Sequence, residues 1–180
     1  ARYDRFLLGH LKKRSGVKVV IFVQDLGNWV YPEGYTDLNE EIELLCRADL
    51  LILQSVKMKH YLNKKGLSDI PVMYQEVWDY PWHICRDSVN FEKRLDQIND
   101  ISVNNLLGLK SEGAGLLSDF SSGYAEMCNP LRTGFYICAG IPVAAGNGFR
   151  AADFVSRYGI GITAETYEEA KKLVENIEDS

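Results

Sequence analysis

Apolar residues along this chain follow two alternating spacings. Short aliphatic runs, "VKVVIFV" (17–23), "LLILQ" (50–54) and "PVMYQ" (71–75), carry at most one charge each. Runs of that kind predict strands buried on both faces of a parallel sheet. Between them apolar positions recur every three or four residues, the helical period. "YDRFLLGHLKKR" (3–14) gathers basic residues in its last turn, where they suit the helix dipole, and Gly16 ends it. Leu38, Ile42 and Leu45 share one face of a second helix, and Asp37 with Glu40 has capping-box spacing ahead of it. Ser55 caps a third, "VKMKHYLNKK", which buries Met58, Tyr61 and Leu62 and stops at Gly66.

Strand, helix, strand, helix, strand is the rhythm of right-handed parallel crossovers, so the fold class predicted is α/β. The aromatic segment "EVWDYPWHI" (76–84) interrupts it and marks a boundary between a domain at 1–80 and a second at 81–180. The second half repeats the pattern. "FEKRLDQI" (91–98) reads as a helix, and "GAGLLSDF" (113–120) as a strand entering a loop, since Gly113 and Gly115 would break a long helix. A helix after Pro130 buries Leu131, Phe135 and Cys138 and closes at Gly140, and "IPVAA" (141–145) follows as a strand. "GNG" turns the chain into a helix with an Ala151, Phe154, Val155 and Tyr158 stripe, ended by Gly159. "IGIT" (160–163) is the next strand. Thr166 and Glu169 form a second capping box before a helix burying Ala170, Leu173, Val174 and Ile177.

Composition narrows the function classes. With 180 residues, 46 % hydrophobic, and a net charge of −5, the chain is long enough for one large or two small domains. Mild acidity argues against a nucleic-acid partner bound through its phosphates. No apolar run reaches the ~20 residues of a membrane-spanning helix. The sequence shows no secretory signal and opens on Ala1 and not Met, which is compatible with a missing beginning. Cys46, Cys85, Cys128 and Cys138 are irregularly spaced, which fits packed, reduced thiols and a cytoplasmic location. His10, His60 and His83 are far apart, and no metal site is expected.

Ligands of open parallel sheets bind at the carboxyl ends of strands, where loops meet helix N-termini. Three loops qualify: one holding Asp25, one holding Trp78 and Asp79, and "SDFSSGYAEMCNPLR" (118–132). The third is the most informative. A basic residue in a first helical turn opposes the dipole, at roughly 0.3–1 kcal/mol. Arg132 is misplaced for helix stability alone. It becomes sensible if guanidinium and helix N-terminus grip one phosphate together. An ion pair to Asp119 or Glu126 explains it too, and from residue pattern alone that is the commoner outcome. Tyr124 either bonds a sugar or phosphate or covers the helix end. Asp25 either orients a ligand hydroxyl or caps the next turn, and Trp78 either stacks a base or packs between domains. "GNGFR" lacks the full dinucleotide fingerprint.

At "YAEMCNPLRTGFYICAGIPVAAGNGFRAADFVSRYGIGI" (124–162) the chain resembles the bacterial glucosyltransferases that extend O-linked glycans on serine-rich-repeat adhesins, and the related β-1,6-galactofuranosyltransferases. Their Asn-Pro-x-Lys-like motif and "AAGIPV" fall here on Asn129, Pro130, Arg132 and "CAGIPV" (138–143). Upstream, "KVVIFVQDL" (18–26) is similar to a family strand ending in His-Asp, with Gln24 at the His and Asp25 kept. "EIELLCRADLLILQSVKMKHYL" (41–62) and "EVWDYP" (76–81) extend the likeness.

The resemblance implies a GT-B enzyme, two Rossmann-like domains facing across a cleft, in the cytoplasm. It implies a metal-independent hexosyltransferase using a nucleotide-diphospho-sugar, a UDP-sugar, as donor substrate with no cofactor, and a glycan or glycoprotein as acceptor. Arg132 inherits the phosphate contact of the family's lysine, and with the resemblance the phosphate reading becomes the better of its two. Asn129 and Tyr124 shape the pocket, Asp25 orients the acceptor, and Asp79 is a further substrate contact. No catalytic base is assigned. Family members often assemble as homo-oligomers, an expectation resting on the likeness alone. A family enzyme carries more strands before Val17 and a longer segment between Tyr80 and Gly113, so this sequence reads as a fragment, as one with residues omitted, or as a degenerate member. The glutamate pair of many retaining GT-B enzymes also fails, its second position falling at Phe135. A catalytically silent GT-B-like binding protein of a glycosylation or secretion assembly is the alternative, with a generic nucleotide-binding α/β module as a third reading.

Overall fold

The computed structural model describes residues 2–27, 37–77, 95–96, 113–117 and 123–177. The chain divides into two compact units, Ala1–Glu76 and Val77–Ser180. In the first unit α1 (Arg2–Leu11), β1 (Val20–Phe22), α2 (Leu38–Leu45), β2 (Leu50–Leu53), α3 (Val56–Lys64) and β3 (Val72–Tyr74) alternate. The three strands lie side by side in chain order, all parallel, with Val20 opposite Leu50 and Leu51 opposite Val72. The second unit holds β4 (Leu95–Asp96), β5 (Ala114–Leu116), α4 (Leu131–Cys138), β6 (Val143–Gly146), α5 (Arg150–Tyr158), β7 (Gly161–Ala164) and α6 (Tyr167–Glu175). Its sheet, β4-β5-β6-β7, is again wholly parallel and in chain order. The predicted α/β class is the observed one.

Burial follows the patterning that produced the expectations. Leu51 and Leu53 of β2 and all four residues of β6 are buried, as central strands of covered sheets require. Burial of Leu51, Leu53 and Val143 contributes about 1.5–3 kcal/mol each relative to exposure. α3 buries Met58 and Leu62, and α6 buries Ala170 and Val174. Leu173 stays 41 % exposed, outside the stripe assigned to it. On α5 the buried face is Ala151, Ala152 and Val155. Tyr158 is exposed and pairs with Phe154, ring centroids 4.6 Å apart, so the aromatics flank the stripe and do not fill it. Small residues on that face let the helix sit close to β6.

Two expectations are corrected by tertiary pairing. Leu95 and Asp96, inside the predicted helix 91–98, form β4 and pair with Ala114 and Gly115. Partner availability overrides local propensity over so short a segment. Asp37 caps α2 by accepting from the Asn39 N–H at 2.9 Å, but the reciprocal arm of the box is diverted: Glu40 pairs with Arg5 at 3.2 Å. At α6 Thr166 Oγ1 accepts from the Glu169 N–H at 3.2 Å, and the Glu169 carboxylate accepts from the Glu165 N–H at 2.8 Å, one residue before the position a standard box uses.

Tyr136 fixes where α4 lies. Its ring is fully buried against Gly115, where any Cβ would stand 2.6 Å from it, and its hydroxyl donates to the Leu116 carbonyl at 3.1 Å. Helix and strand β5 are therefore locked in register two turns from the helix start. Gly161 has the same logic in the sheet, since an added Cβ would fall 1.9 Å from the Val143 carbonyl oxygen.

Candidate functional site

The start of α4 lies at the carboxyl end of the second unit's sheet. A turn over residues 123–127 leads into it, with the N–H groups of Met127 and Cys128 both donating to the Tyr124 carbonyl at 3.0 and 3.2 Å. Pro130 is the N-cap residue, with φ −59° and ψ 141°, and no side chain caps the helix. Among the described residues no side chain caps the first turn, which presents backbone donors and a partial positive charge.

Arg132 sits in that turn, half-buried, and donates from Nη1 to the Leu117 carbonyl at 3.1 Å, just past the end of β5. A carbonyl has no net charge, so this bond orients the guanidinium without neutralising it. Among the described residues Arg132 makes no ion pair. Glu126 is exposed and does not pair with it, and Asp119 lies outside the described residues. The Glu126 form of the carboxylate explanation for Arg132 is not the one this geometry uses.

Three polar side chains gather around the same turn. Asn129 is 3 % exposed, with both amide atoms shielded from solvent, and Tyr124 is half-buried with its hydroxyl shielded. Thr133, which sequence reasoning passed over, is fully buried, and its hydroxyl has no hydrogen-bond partner among the described residues. A desolvated, unbonded hydroxyl costs roughly 1–3 kcal/mol. Arg150, likewise passed over, opens α5, and its backbone N–H donates to the Ala125 carbonyl at 2.9 Å. The anomaly that singled out Arg132, a cation in a first helical turn, was equally present in "GNGFR".

Asp25 belongs to the first unit. It follows β1 at that sheet's carboxyl end and lines a concavity of about 430 Å³ with Leu7, Val23, Leu26, Glu41 and Leu45. Its side chain reaches solvent, yet the surrounding protein thins its hydration and raises its pKa. The loop beyond is pinned where the Gly27 N–H donates to Glu41 Oε1 at 2.7 Å. Gln24 is anchored through its carbonyl, which accepts from the Gln54 side-chain amide. So Tyr124, Asn129 and Arg132 are brought together in the second unit, Asp25 lies in the first, and Asp79 and Trp78 lie outside the described residues.

A second concavity, about 460 Å³, opens at the amino end of the second sheet between Ile141, Pro142, Ile160 and Ile177. Among the described residues its lining carries no charged side chain and none of the candidate residues. Among the described residues no helix is long and apolar enough to cross a membrane.

Residues 1–77 match the family described as Glucosyltransferase 3-like, N-terminal domain, and residues 87–180 match Glucosyltransferase 3-like, C-terminal domain. The protein named Glucosyltransferase 3 of Streptococcus gordonii is 21 % identical over 218 aligned positions, covering 97 % of this chain and 65 % of its own. The protein of the same name from Streptococcus parasanguinis is 21 % identical over 215 positions, covering 98 % and 65 %. The chain thus spans 65 % of the length of these relatives.

Proposed function

Because the chain belongs to the Glucosyltransferase 3-like family, we propose that it is a hexosyltransferase of GT-B type that takes a UDP-sugar as donor and a glycan or glycoprotein as acceptor. The single observation that supports this most is the guanidinium of Arg132, held by a neutral carbonyl over an uncapped helix start. The hard step of sugar transfer is the departure of a nucleoside diphosphate, as the bond from the anomeric carbon to the β-phosphate oxygen breaks and negative charge grows on that oxygen. A fixed cation and a helix N-terminus aimed at that charge lower the barrier and need no reorganisation when it develops. Asn129 and Tyr124 brace the approach to α4, and Asp25, hydrated but with a raised pKa, suits hydrogen bonding to an acceptor hydroxyl. Metal independence and a cytoplasmic location belong to the same proposal.

The direct test is a UDP titration followed by thermal melting. At 100 times its dissociation constant a ligand adds about 2.7 kcal/mol of stability. The parent is expected to shift and Arg132→Ala to shift far less; equal shifts would remove the site. Gln24 at the position of the family's histidine favours a second reading, a GT-B-like binding protein without turnover. UDP binding with no hydrolysis or transfer of any sugar nucleotide would select it.

A further inference from the structure

Where β5 ends, α4 reaches back to it twice. Arg132 Nη1 donates to the Leu117 carbonyl and Tyr136 Oη donates to the Leu116 carbonyl, each at 3.1 Å. The two donors stand one turn apart on the same face of α4, and the two acceptors are consecutive along the chain. Leu116 and Leu117 are both buried, so their carbonyls depend on protein donors more than on solvent.

The peptide unit between Leu116 and Leu117 joins the two bonds. Its carbonyl accepts from Tyr136, and its N–H, that of Leu117, donates to the Ala144 carbonyl of β6 at 3.2 Å. A peptide unit is planar, so a bond at each end fixes its orientation. The Leu117 carbonyl that meets Arg132 hangs from this plane. On the helix side the Tyr136 ring has no room to slide: it is fully buried against Gly115, where any Cβ would stand 2.6 Å away, and lies edge-on to Phe135 with ring centroids 6.2 Å apart. One phenol therefore sets both the helix that carries the Arg132 donor and the peptide that carries its acceptor. A long side chain that must first be ordered loses part of its affinity for a ligand to that ordering, and a guanidinium held in advance keeps it.

We propose that Tyr136 is a positioning residue: its hydroxyl aims the Arg132 guanidinium through the Leu116–Leu117 peptide, so the affinity of the site depends on a buried phenol that touches no ligand. The inference rests on the reading above, in which Arg132 meets the diphosphate of the donor, and deepens it by naming what fixes the direction of that cation. The bond to the Leu116 carbonyl is thus more than packing of helix on sheet. It transmits the register of β5 to the head group at the helix start.

The test is a double-mutant cycle on UDP binding, measured by calorimetric titration of the full chain for the parent, Tyr136→Phe, Arg132→Ala and the two changes together. Phenylalanine keeps the ring and removes the hydroxyl, and circular dichroism with unliganded melting verifies each fold. Tyr136→Leu, which leaves room for a water to meet the Leu116 carbonyl, repeats the cycle should phenylalanine compromise folding. Tyr136→Phe is expected to weaken UDP roughly tenfold in the parent and to change nothing in the Arg132→Ala background, because the group it positions is gone. Equal weakening in both backgrounds marks a merely structural role and overturns the proposal. Parental affinity in Tyr136→Phe also overturns it, and leaves the Arg132 reading standing if Arg132→Ala binds weakly. A parent that does not bind UDP, or an Arg132→Ala variant that binds it as the parent does, overturns the reading and the proposal together.

Discussion

Replacing Thr133 by valine exchanges a hydroxyl for a methyl of nearly the same shape at a position with no solvent exposure. In most cores this change is destabilising, because a buried threonine hydroxyl is bonded and its loss strands a partner. Here the hydroxyl has no partner among the described residues, so the folded state bears its desolvation without compensation. That penalty is about 1–3 kcal/mol, and the added methyl contributes apolar burial of the order of one methylene, about 0.8 kcal/mol. Threonine and valine have nearly equal helix propensity, so the backbone adds little. Thr133→Val is therefore expected to stabilise the fold by about 2–4 kcal/mol, read as a higher urea midpoint at constant slope. In a chain of this size each kcal/mol corresponds to about 2–4 °C in Tm. The same variant is expected to bind UDP more weakly, since the group removed is a buried polar group in the first turn of α4. Stability and affinity moving in opposite directions is the mark of a polar group kept for binding. A variant less stable than the parent by more than about 1 kcal/mol would show that the hydroxyl is bonded in solution, and the ligand argument built on it would fall.

Other substitutions probe the scaffold and its charges. Gly161→Ala forces a Cβ to within 1.9 Å of the Val143 carbonyl, a backbone atom that cannot swing aside, and is expected to cost about 1–3 kcal/mol or more in urea melts. Gly9→Ala, inside α1 with no atom within 4 Å of the new Cβ, is the control, expected to gain about 0.5–1 kcal/mol. Asp49 is held at a pKa of about 2, first by its hydrogen bond with Lys12 at 2.7 Å and next by the Val19 N–H at 2.8 Å. A depressed carboxylate contributes stability above its unfolded pKa, so the parent's advantage over Asp49→Asn is expected to be complete above pH of about 4 and to vanish as pH falls toward about 2. Asp25 has the opposite sign: burial raises its pKa, its neutral form is favoured by the fold, and the stability gained by Asp25→Asn is expected to grow as pH rises through the folded-state titration, measured by melts across pH.

What was legible in the sequence was whatever a local rule could decide. Periodicity gave the parallel strands, because β6 is buried on both faces and β2 is buried on one and half-buried on the other, so both read as unbroken apolar runs. The sign of one charge against a helix dipole exposed Arg132, since both are fixed by chain position alone. What was not legible depended on partners distant in sequence. Two residues at Leu95–Asp96 became strand only because Ala114 and Gly115 offered an open edge, and Glu40 left its capping box because Arg5 stood within reach. Thr133 carries no warning in the sequence, because a threonine one turn into a helix is ordinary until its hydroxyl is found sealed from water. Arg150 shows how such a signal is read. Its local signal equalled that of Arg132, but only the bond joining α5 to the Ala125 carbonyl shows that the two helix starts serve one sheet edge. A cation in a first turn is weak evidence for a ligand until the fold shows what it meets: Arg150 stands 3.7 Å from the Asp153 carboxylate, whereas Arg132 meets the neutral Leu117 carbonyl.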